Sequence, residues 1–217
     1  IGANALVGAL DGSHSNVAVG LESLRVLTSG NSNVSVGAYS GYDLNTGVQN
    51  TFIGHSSGEN VTSGNNNVLM GYRAGYTANF NNSIGIGYRA LYNNTADSNI
   101  AIGYDAGFAL TSGNSNTAIG YQAAAELQDN HANTVIGYQA MYRSGATTYH
   151  NVYIGNLAGD GDWTGACHSN TAVGSSVMRG AMTATAVDNV AMGRDTLAAL
   201  TSGHSNVALG KSAGDAI

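Results

Sequence analysis

Five tyrosines recur in the middle of the chain at intervals of 16 or 17 residues. They are Tyr72, Tyr88, Tyr104, Tyr121 and Tyr138, and each directly follows a glycine. If the sequence repeat is also a repeat in space, the five rings form one column. An exposed aromatic column can contact the rings of a sugar, so these residues are a candidate glycan-contact ladder. The competing interpretation is that the rings only stabilise neighbouring copies of the repeat.

Four histidines stand at one position of the same repeat, two residues before a recurring asparagine: His14, His131, His168 and His204. Imidazole is a ligand of transition metals, so an assembly of three chains could gather three of these rings at a metal ion. Asn or Asp replaces His at this position in other copies, which favours corner hydrogen bonding instead. We therefore predict neither a metal site nor a cofactor.

Few other residues are arranged for chemistry. The segment Asp160-Gly161-Asp162-Trp163 could bind calcium or form a receptor-binding tip, but Gly-Asp is ordinary turn chemistry, and a plain loop is favoured. Arg89 and Asp105 share one position in adjacent copies, as a weak surface ion pair would. Cys167 is the single cysteine, so no disulfide forms within one chain.

Catalytic patterns are missing from the sequence. Glycan hydrolysis needs two carboxylates at a set separation, and the 13 acidic residues are scattered along the chain. No Ser/His/Asp set, phosphate-binding loop or nucleotide fingerprint is present. The sequence therefore predicts a protein that is not an enzyme.

The elements that must position these side chains are copies of one short repeat. A glycine returns thirteen times at intervals of 16 to 19 residues. These repeat glycines are Gly2, Gly20, Gly37, Gly54, Gly71, Gly87, Gly103, Gly120, Gly137, Gly155, Gly174, Gly193 and Gly210. Such a period indicates a stacked solenoid in which each copy forms one coil. We predict an all-β parallel β-solenoid (β-roll) of about 12 coils, with residues 1–217 forming a single repeat domain.

Three residues before each glycine predict a strand. The first is β-branched and the third is apolar, and because side chains alternate along a strand these two share a face. The middle residue faces the other way and is also apolar or small. It trades volume with the fourth residue after the glycine, as Phe52 with Gly58 and Gly85 with Leu91 show. We therefore expect the middle residue to fill the interior of its own coil.

The other face of the strand would be left uncovered on a single chain. Among its Val and Ile residues are Val17, Val19, Val34, Val36, Ile53, Val68, Ile84, Ile86, Ile100, Ile102, Ile119, Ile136, Ile154, Val173, Val190 and Val207. Such an apolar stripe exceeds the few hundred Å² that monomers tolerate. The same stripe on identical chains would cover it, so we predict a homotrimer, intertwined or side by side.

Composition agrees with a stack of paired strands. The chain has no proline, which cannot donate to a strand ladder. Charged residues make up 9%, and the net charge of −6 argues against a nucleic-acid partner. No apolar run approaches about 18 residues, so no membrane insertion is expected. The sequence starts and stops within a repeat, which indicates a segment of a longer fibre.

The repeat resembles two related groups of proteins. The best copies are Asn99-Ile100-Ala101-Ile102-Gly103-Tyr104 and Asn116-Thr117-Ala118-Ile119-Gly120-Tyr121. They resemble the repeats of bacteriophage tail-fibre and tailspike proteins and the head repeats of trimeric autotransporter adhesins. This resemblance covers the whole chain and implies a trimeric, left-handed parallel β-roll on an extracellular attachment fibre. The adhesin head repeat is shorter, near fourteen residues, which favours the phage fibre.

Three hypotheses for function follow. The first is a structural and adhesive fibre, part of a phage tail fibre that mediates host attachment, or alternatively a bacterial surface adhesin head. Its location would be the virion tail fibre or the cell surface, and its partners its own copies and a cell-surface glycan or protein receptor. The second is a polysaccharide-degrading tailspike. The third is a single-chain solenoid that binds ice or another surface.

Overall fold

The computed structural model describes residues 1–8, 11–77, 79–143, 147–183 and 185–215. These residues contain twelve strands of three residues each and no helix. The strands are β1 (Val17–Val19), β2 (Val34–Val36), β3 (Thr51–Ile53), β4 (Val68–Met70), β5 (Ile84–Ile86), β6 (Ile100–Ile102), β7 (Thr117–Ile119), β8 (Thr134–Ile136), β9 (Val152–Ile154), β10 (Thr171–Val173), β11 (Val190–Met192) and β12 (Val207–Leu209). Each strand occupies the three residues before a repeat glycine, as predicted.

The chain divides into two compact units, Ile1–Asp105 with β1 to β6 and Ala106–Ile217 with β7 to β12. Within each unit every strand pairs in parallel with the next, and equivalent positions face each other. Val17 stands opposite Val34 in the first unit, and Thr117 stands opposite Thr134 in the second. The predicted parallel β-solenoid is thereby confirmed for both units. The prediction that residues 1–217 form one domain stays a prediction.

The repeat glycine is needed where one coil passes closely over the next. Gly87 has a φ of 138°, and a Cβ atom on it would lie 2.2 Å from the carbonyl oxygen of Gly103. A side chain there would therefore strike the backbone of the following coil. This explains why the sequence returns to glycine at this position in every copy.

The corners of each coil use left-handed backbone conformations at residues other than glycine. In the coil that follows β5, Arg89, Leu91 and Ser98 have φ values of 50°, 55° and 62°. A non-glycine residue in this region usually costs about 1–2 kcal/mol. The corners are therefore stable only because the backbone hydrogen bonds and the packing of adjacent coils hold them.

The asparagine four residues before the repeat glycine joins successive coils into a ladder of side-chain amides. The Asn50 side-chain amide donates to Asn33 Oδ1 at 3.0 Å and to the Gly64 carbonyl at 2.7 Å. Asn50 Oδ1 accepts the backbone N–H of Asn67 at 3.0 Å. The second unit repeats this arrangement at Asn151, which donates to Asn133 Oδ1 at 3.0 Å. Because these amides are buried, the ladder satisfies groups that would otherwise be unpaired.

The middle residue of each strand fills the interior of its coil. In several coils a leucine from the turn after the strand packs there as well. Phe52, Leu69 and Tyr153 are fully buried, as are Leu27 and Leu110 from the Leu-Thr-Ser-Gly turns. A Cβ atom on Gly75 would lie 2.5 Å from Leu69 Cδ1, which confirms that these two positions share one interior space. Among the described residues, no helix has the length and apolar character to cross a membrane.

Candidate functional site: an aromatic and arginine face

The tyrosine ladder exists, and in the first unit it extends further than the sequence indicated. Tyr39, His55, Tyr72, Tyr88 and Tyr104 form consecutive ring contacts. The ring centroids of Tyr72 and Tyr88 are 5.2 Å apart, and those of Tyr88 and Tyr104 are 4.8 Å apart, with interplanar angles of 13° and 7°. These distances reflect the spacing of adjacent parallel strands, to which each ring is tied through its glycine.

The second unit carries the remaining two rings of the predicted ladder. Tyr121 and Tyr138 stack with centroids 5.2 Å apart and an interplanar angle of 8°. All five tyrosines are exposed, with relative accessibilities between 38% and 49%. Each unit therefore presents its own short stack of tyrosines at the surface.

Stacking determines which part of each ring is available to a ligand. Because Tyr72, Tyr88 and Tyr104 lie nearly parallel, the faces between them are covered by neighbouring rings. What remains accessible is the ring edge and the phenolic hydroxyl. Glycan contact at the ladder stays a prediction, and the geometry favours hydrogen bonds from hydroxyl groups over stacking on ring faces.

Arginines lie against the aromatic columns. The Arg73 guanidinium is 5.2 Å from the centroid of Tyr72 and 5.1 Å from that of Tyr76, within cation–π range of both. Arg89 lies 5.1 Å from the centroid of Tyr88. Arg73 and Arg89 both occupy the second position after a repeat glycine. The tyrosine ladder therefore presents phenolic hydroxyls together with guanidinium groups that the aromatic rings hold in place.

The predicted ion pair between Arg89 and Asp105 is present and is stronger than a surface pair. Arg89 donates from Nε to Asp105 Oδ1 at 2.8 Å and from Nη2 to Oδ2 at 2.6 Å. Asp105 is buried, with a relative accessibility of 6%. The hydrogen bond to Asp105 is the main cause that raises the pKa of Arg89. Two parallel charge-assisted bonds of this kind fix the position of both side chains.

The apolar stripe lies on the outer face of the strands. Within strands β2 to β10 the outward Val and Ile side chains are half-buried, whereas the middle residues are fully buried. The outward side chains are more exposed on the first and last strands, where Val17 is 48% and Val207 is 71% exposed. The chain's own interior therefore does not enclose these side chains.

The structure places the four histidines in corners of different coils. His14 and His204 are exposed, and His131 places Nδ1 3.3 Å from Asn114 Oδ1. His168 stacks on Tyr149, with centroids 4.6 Å apart. In the parts of the chain that the structure describes, no group of three His, Cys, Asp or Glu side chains is placed to hold a metal ion. The side chains take part in corner contacts instead.

In the segment Asp160-Gly161-Asp162-Trp163 the tryptophan side chain is buried. Trp163 is 2% exposed and packs against Tyr153, with centroids 5.2 Å apart. Trp163 Nε1, the Tyr153 hydroxyl and Asp160 Oδ1 are buried without a hydrogen-bond partner. Burial raises the pKa of Asp160, an effect that Arg143 and Arg179 oppose. The loop therefore offers no aromatic ring at the surface.

Cys167 is a buried thiol with a structural contact. Its sulfur donates to the Thr183 carbonyl at 3.1 Å, and burial raises its pKa to about 11. Because the thiolate is the reactive form, this cysteine is unsuited to nucleophilic chemistry.

Several contacts were not predicted from the sequence. Buried hydroxyls at the third position after the repeat glycine bond to the next strand, as Ser40 does to the Phe52 carbonyl at 3.1 Å. The alternation of Ser with Ala at this position was the available signal. The position of Arg73 between two rings had no such signal, because it depends on the corner conformation.

Comparisons of the chain with protein-family models, with curated proteins and with solved structures found no match.

Proposed function

We propose that this chain is a structural and adhesive segment of an extracellular attachment fibre, in which three identical chains pack around their apolar stripes. The observation that carries the proposal is the half-exposed row of Val and Ile side chains on the outer face of the strands. The fibre would be a phage tail fibre, or alternatively the head of a bacterial trimeric adhesin. Either alternative would use the proposed packing of three chains.

The stripe needs a cover, and its regular spacing favours a second copy as that cover. In the first unit the outward positions run from Val17 to Ile102 and contain Val, Ile, Met and one Thr. Such an apolar face would cost about 25 cal/mol for every Å² left in water. A partner with the same coil spacing can match it strand for strand. Rotational symmetry then lets all three chains use one surface.

The proposed role is mechanical and needs no catalysis. Parallel strands in identical register and the buried asparagine ladder join every coil to the next within each unit. A chain built in this way resists local opening, because each coil is held by both neighbours. A left-handed β-roll of three such chains would hold a receptor-binding surface away from the virion or cell. The receptor would be a cell-surface glycan or protein.

The oligomeric state of the full chain tests the proposal. Sedimentation velocity is expected to give three times the chain mass of 22.0 kDa. Ile86→Asp places a charge in the centre of the stripe and should yield monomers with an unchanged β-type circular dichroism spectrum. Val26→Asp is the matched control, because Val26 is exposed outside the strands and its substitution should leave the trimer intact.

Two results would overturn the proposed assembly. One is a parent chain that stays monomeric at high concentration while its stripe remains solvent-accessible. The other is a trimer that Ile86→Asp leaves intact.

A further inference from the structure

Arg73 differs from the other arginines of the first unit in having no acidic partner. Arg89 is paired with Asp105, and Arg25 lies 3.6 Å from Glu22. Arg73 forms no ion pair and no side-chain hydrogen bond in the part of the chain that the structure describes, and its Nε is buried without a partner. A guanidinium has five N–H donors, and the four on the two Nη groups of Arg73 are not used by another side chain.

The guanidinium is also held in one orientation before any ligand arrives. Tyr72 and Tyr76 lie on it at 5.2 and 5.1 Å, measured from the guanidinium carbon to the ring centroids. Two aromatic contacts restrict the side chain and displace water from its faces. The Nη groups are then the part of Arg73 left to reach solvent. A planar fork in this state is suited to a carboxylate, which it can bind through two parallel hydrogen bonds.

The tyrosine ladder continues from Arg73 in one direction. Tyr72 and Tyr88 are 38% and 40% exposed, and their centroids are 5.2 Å apart. In the other direction the acidic residues Asp43 and Glu59 belong to the two preceding coils and would disfavour a bound anion. A bound anionic chain would therefore extend from Arg73 along the ladder towards Tyr88.

We infer that this face binds a linear acidic polysaccharide, with the Nη groups of Arg73 on the carboxylate of a uronate unit. The phenolic hydroxyls of Tyr72 and Tyr88 would bond to hydroxyls of the adjoining sugars. A ring spacing close to 5 Å suits an extended pyranose chain, which advances by a similar length per sugar. This inference rests on the proposed attachment function, for which it supplies the chemical class of the receptor.

The experiment compares a uronate polymer with its methyl ester, in which each carboxylate loses its charge. Binding of the full chain to polygalacturonate and to its methyl ester is measured by biolayer interferometry at low and at moderate salt. Polygalacturonate should bind, the ester should bind at least about tenfold more weakly, and salt should weaken the difference. Polyglutamate, a polyanion without sugar rings, should bind as weakly as the ester.

Three variants assign the binding to Arg73. Arg73→Gln should reduce polygalacturonate affinity about tenfold, as loss of a charge-assisted hydrogen-bonded pair predicts. Lys211→Gln removes one positive charge from an exposed lysine in the other unit and should leave the affinity unchanged. Arg194→Gln removes an exposed guanidinium from the other unit and should also retain binding.

The inference is overturned if the parent does not bind polygalacturonate, if the ester or polyglutamate binds equally well, or if Arg73→Gln and Lys211→Gln weaken binding to the same extent. Sedimentation of the same samples separates this from the proposed assembly. A trimer that does not bind the polymer refutes only the ligand, and a monomer that binds it refutes only the trimer.

Discussion

A Cβ atom on Gly58 would stand 3.0 Å from three atoms of the Phe52 ring. Gly58 and Phe52 therefore share one interior space, and glycine leaves the room that the ring fills. The coil of Gly85 shows the reverse arrangement, since a Cβ on that glycine would meet Leu91 Cδ1 at 3.5 Å. These two coils fill the equivalent space from opposite sides.

This relationship predicts that two destabilising substitutions compensate. Phe52→Ala should lower the free energy of unfolding by about 3–5 kcal/mol because it empties the coil. Gly58→Leu alone should cost about 1–3 kcal/mol through overpacking. The double variant should be more stable than Phe52→Ala, because the introduced leucine would fill the space as Leu91 does in its own coil. Urea denaturation measures all three, and additive losses would contradict shared packing.

The asparagine ladder predicts a graded response at Asn50. Asn50→Ala removes two donated and two accepted hydrogen bonds from a buried position, and should cost about 2–4 kcal/mol. Asn50→Ser should cost less, because Ser83 at the equivalent position still accepts the backbone N–H of Asn99 at 3.1 Å. Equal losses in denaturant titration would show that the side-chain bonds between coils contribute little.

Two glycine substitutions should differ in effect although both add one methyl group. Gly87→Ala would place Cβ 2.2 Å from the Gly103 carbonyl oxygen, so the two coils must separate. Gly12 has a φ of 71°, and among the described residues only its chain neighbours come within 4 Å of the methyl group that alanine would add. Gly12→Ala therefore carries only a backbone cost of about 1–2 kcal/mol. Thermal unfolding should show a large drop in Tm for the first variant and a small one for the second.

The pair Asp43 and Glu59 predicts a pH effect on stability. Burial, followed by the charge of Glu59, raises the pKa of Asp43 above 3.8. The folded protein then binds this proton more tightly than the unfolded chain, so the free energy of unfolding falls as the pH rises from 3.8 through the raised pKa. Asp43→Asn should therefore be more stable than the parent at neutral pH.

The stability of Asp43→Asn at acidic pH tests the same explanation. Well below pH 3.8 the carboxyl is protonated in both states, so the stability gain of Asp43→Asn should disappear. Asp11→Asn changes the charge equally at an exposed position and serves as the control. A gain that persists undiminished in acid would show that the amide stabilises by a contact unrelated to titration.

The strands and the interior were predictable from the sequence because they obey one local rule. The spacing of β-branched and apolar residues before each glycine gives β1 to β12 with their bounds, and the exchange between Phe52 and Gly58 gives the inward side. Corner conformations were not predictable in this way. Leu91 has a φ of 55° where glycine would be expected, and only the packing of adjacent coils holds it there.

The candidate site was predicted in part for the same reason. The tyrosines follow the repeat, so their column was evident from spacing alone. The covering of their faces depends on ring orientation, which spacing does not determine. Arg89 is paired with the carboxylate of Asp105, whereas Arg73 has no such partner. That difference emerges when the contacts of neighbouring coils are compared.

Identical pairing of equivalent positions, such as Val17 with Val34 and Thr117 with Thr134, has an evolutionary consequence. Every coil offers the same backbone pattern above and below. A duplicated or deleted segment of one period therefore leaves both new neighbours with a surface they already fit. Gene recombination can then lengthen or shorten such a protein in whole increments, without a new interior having to evolve.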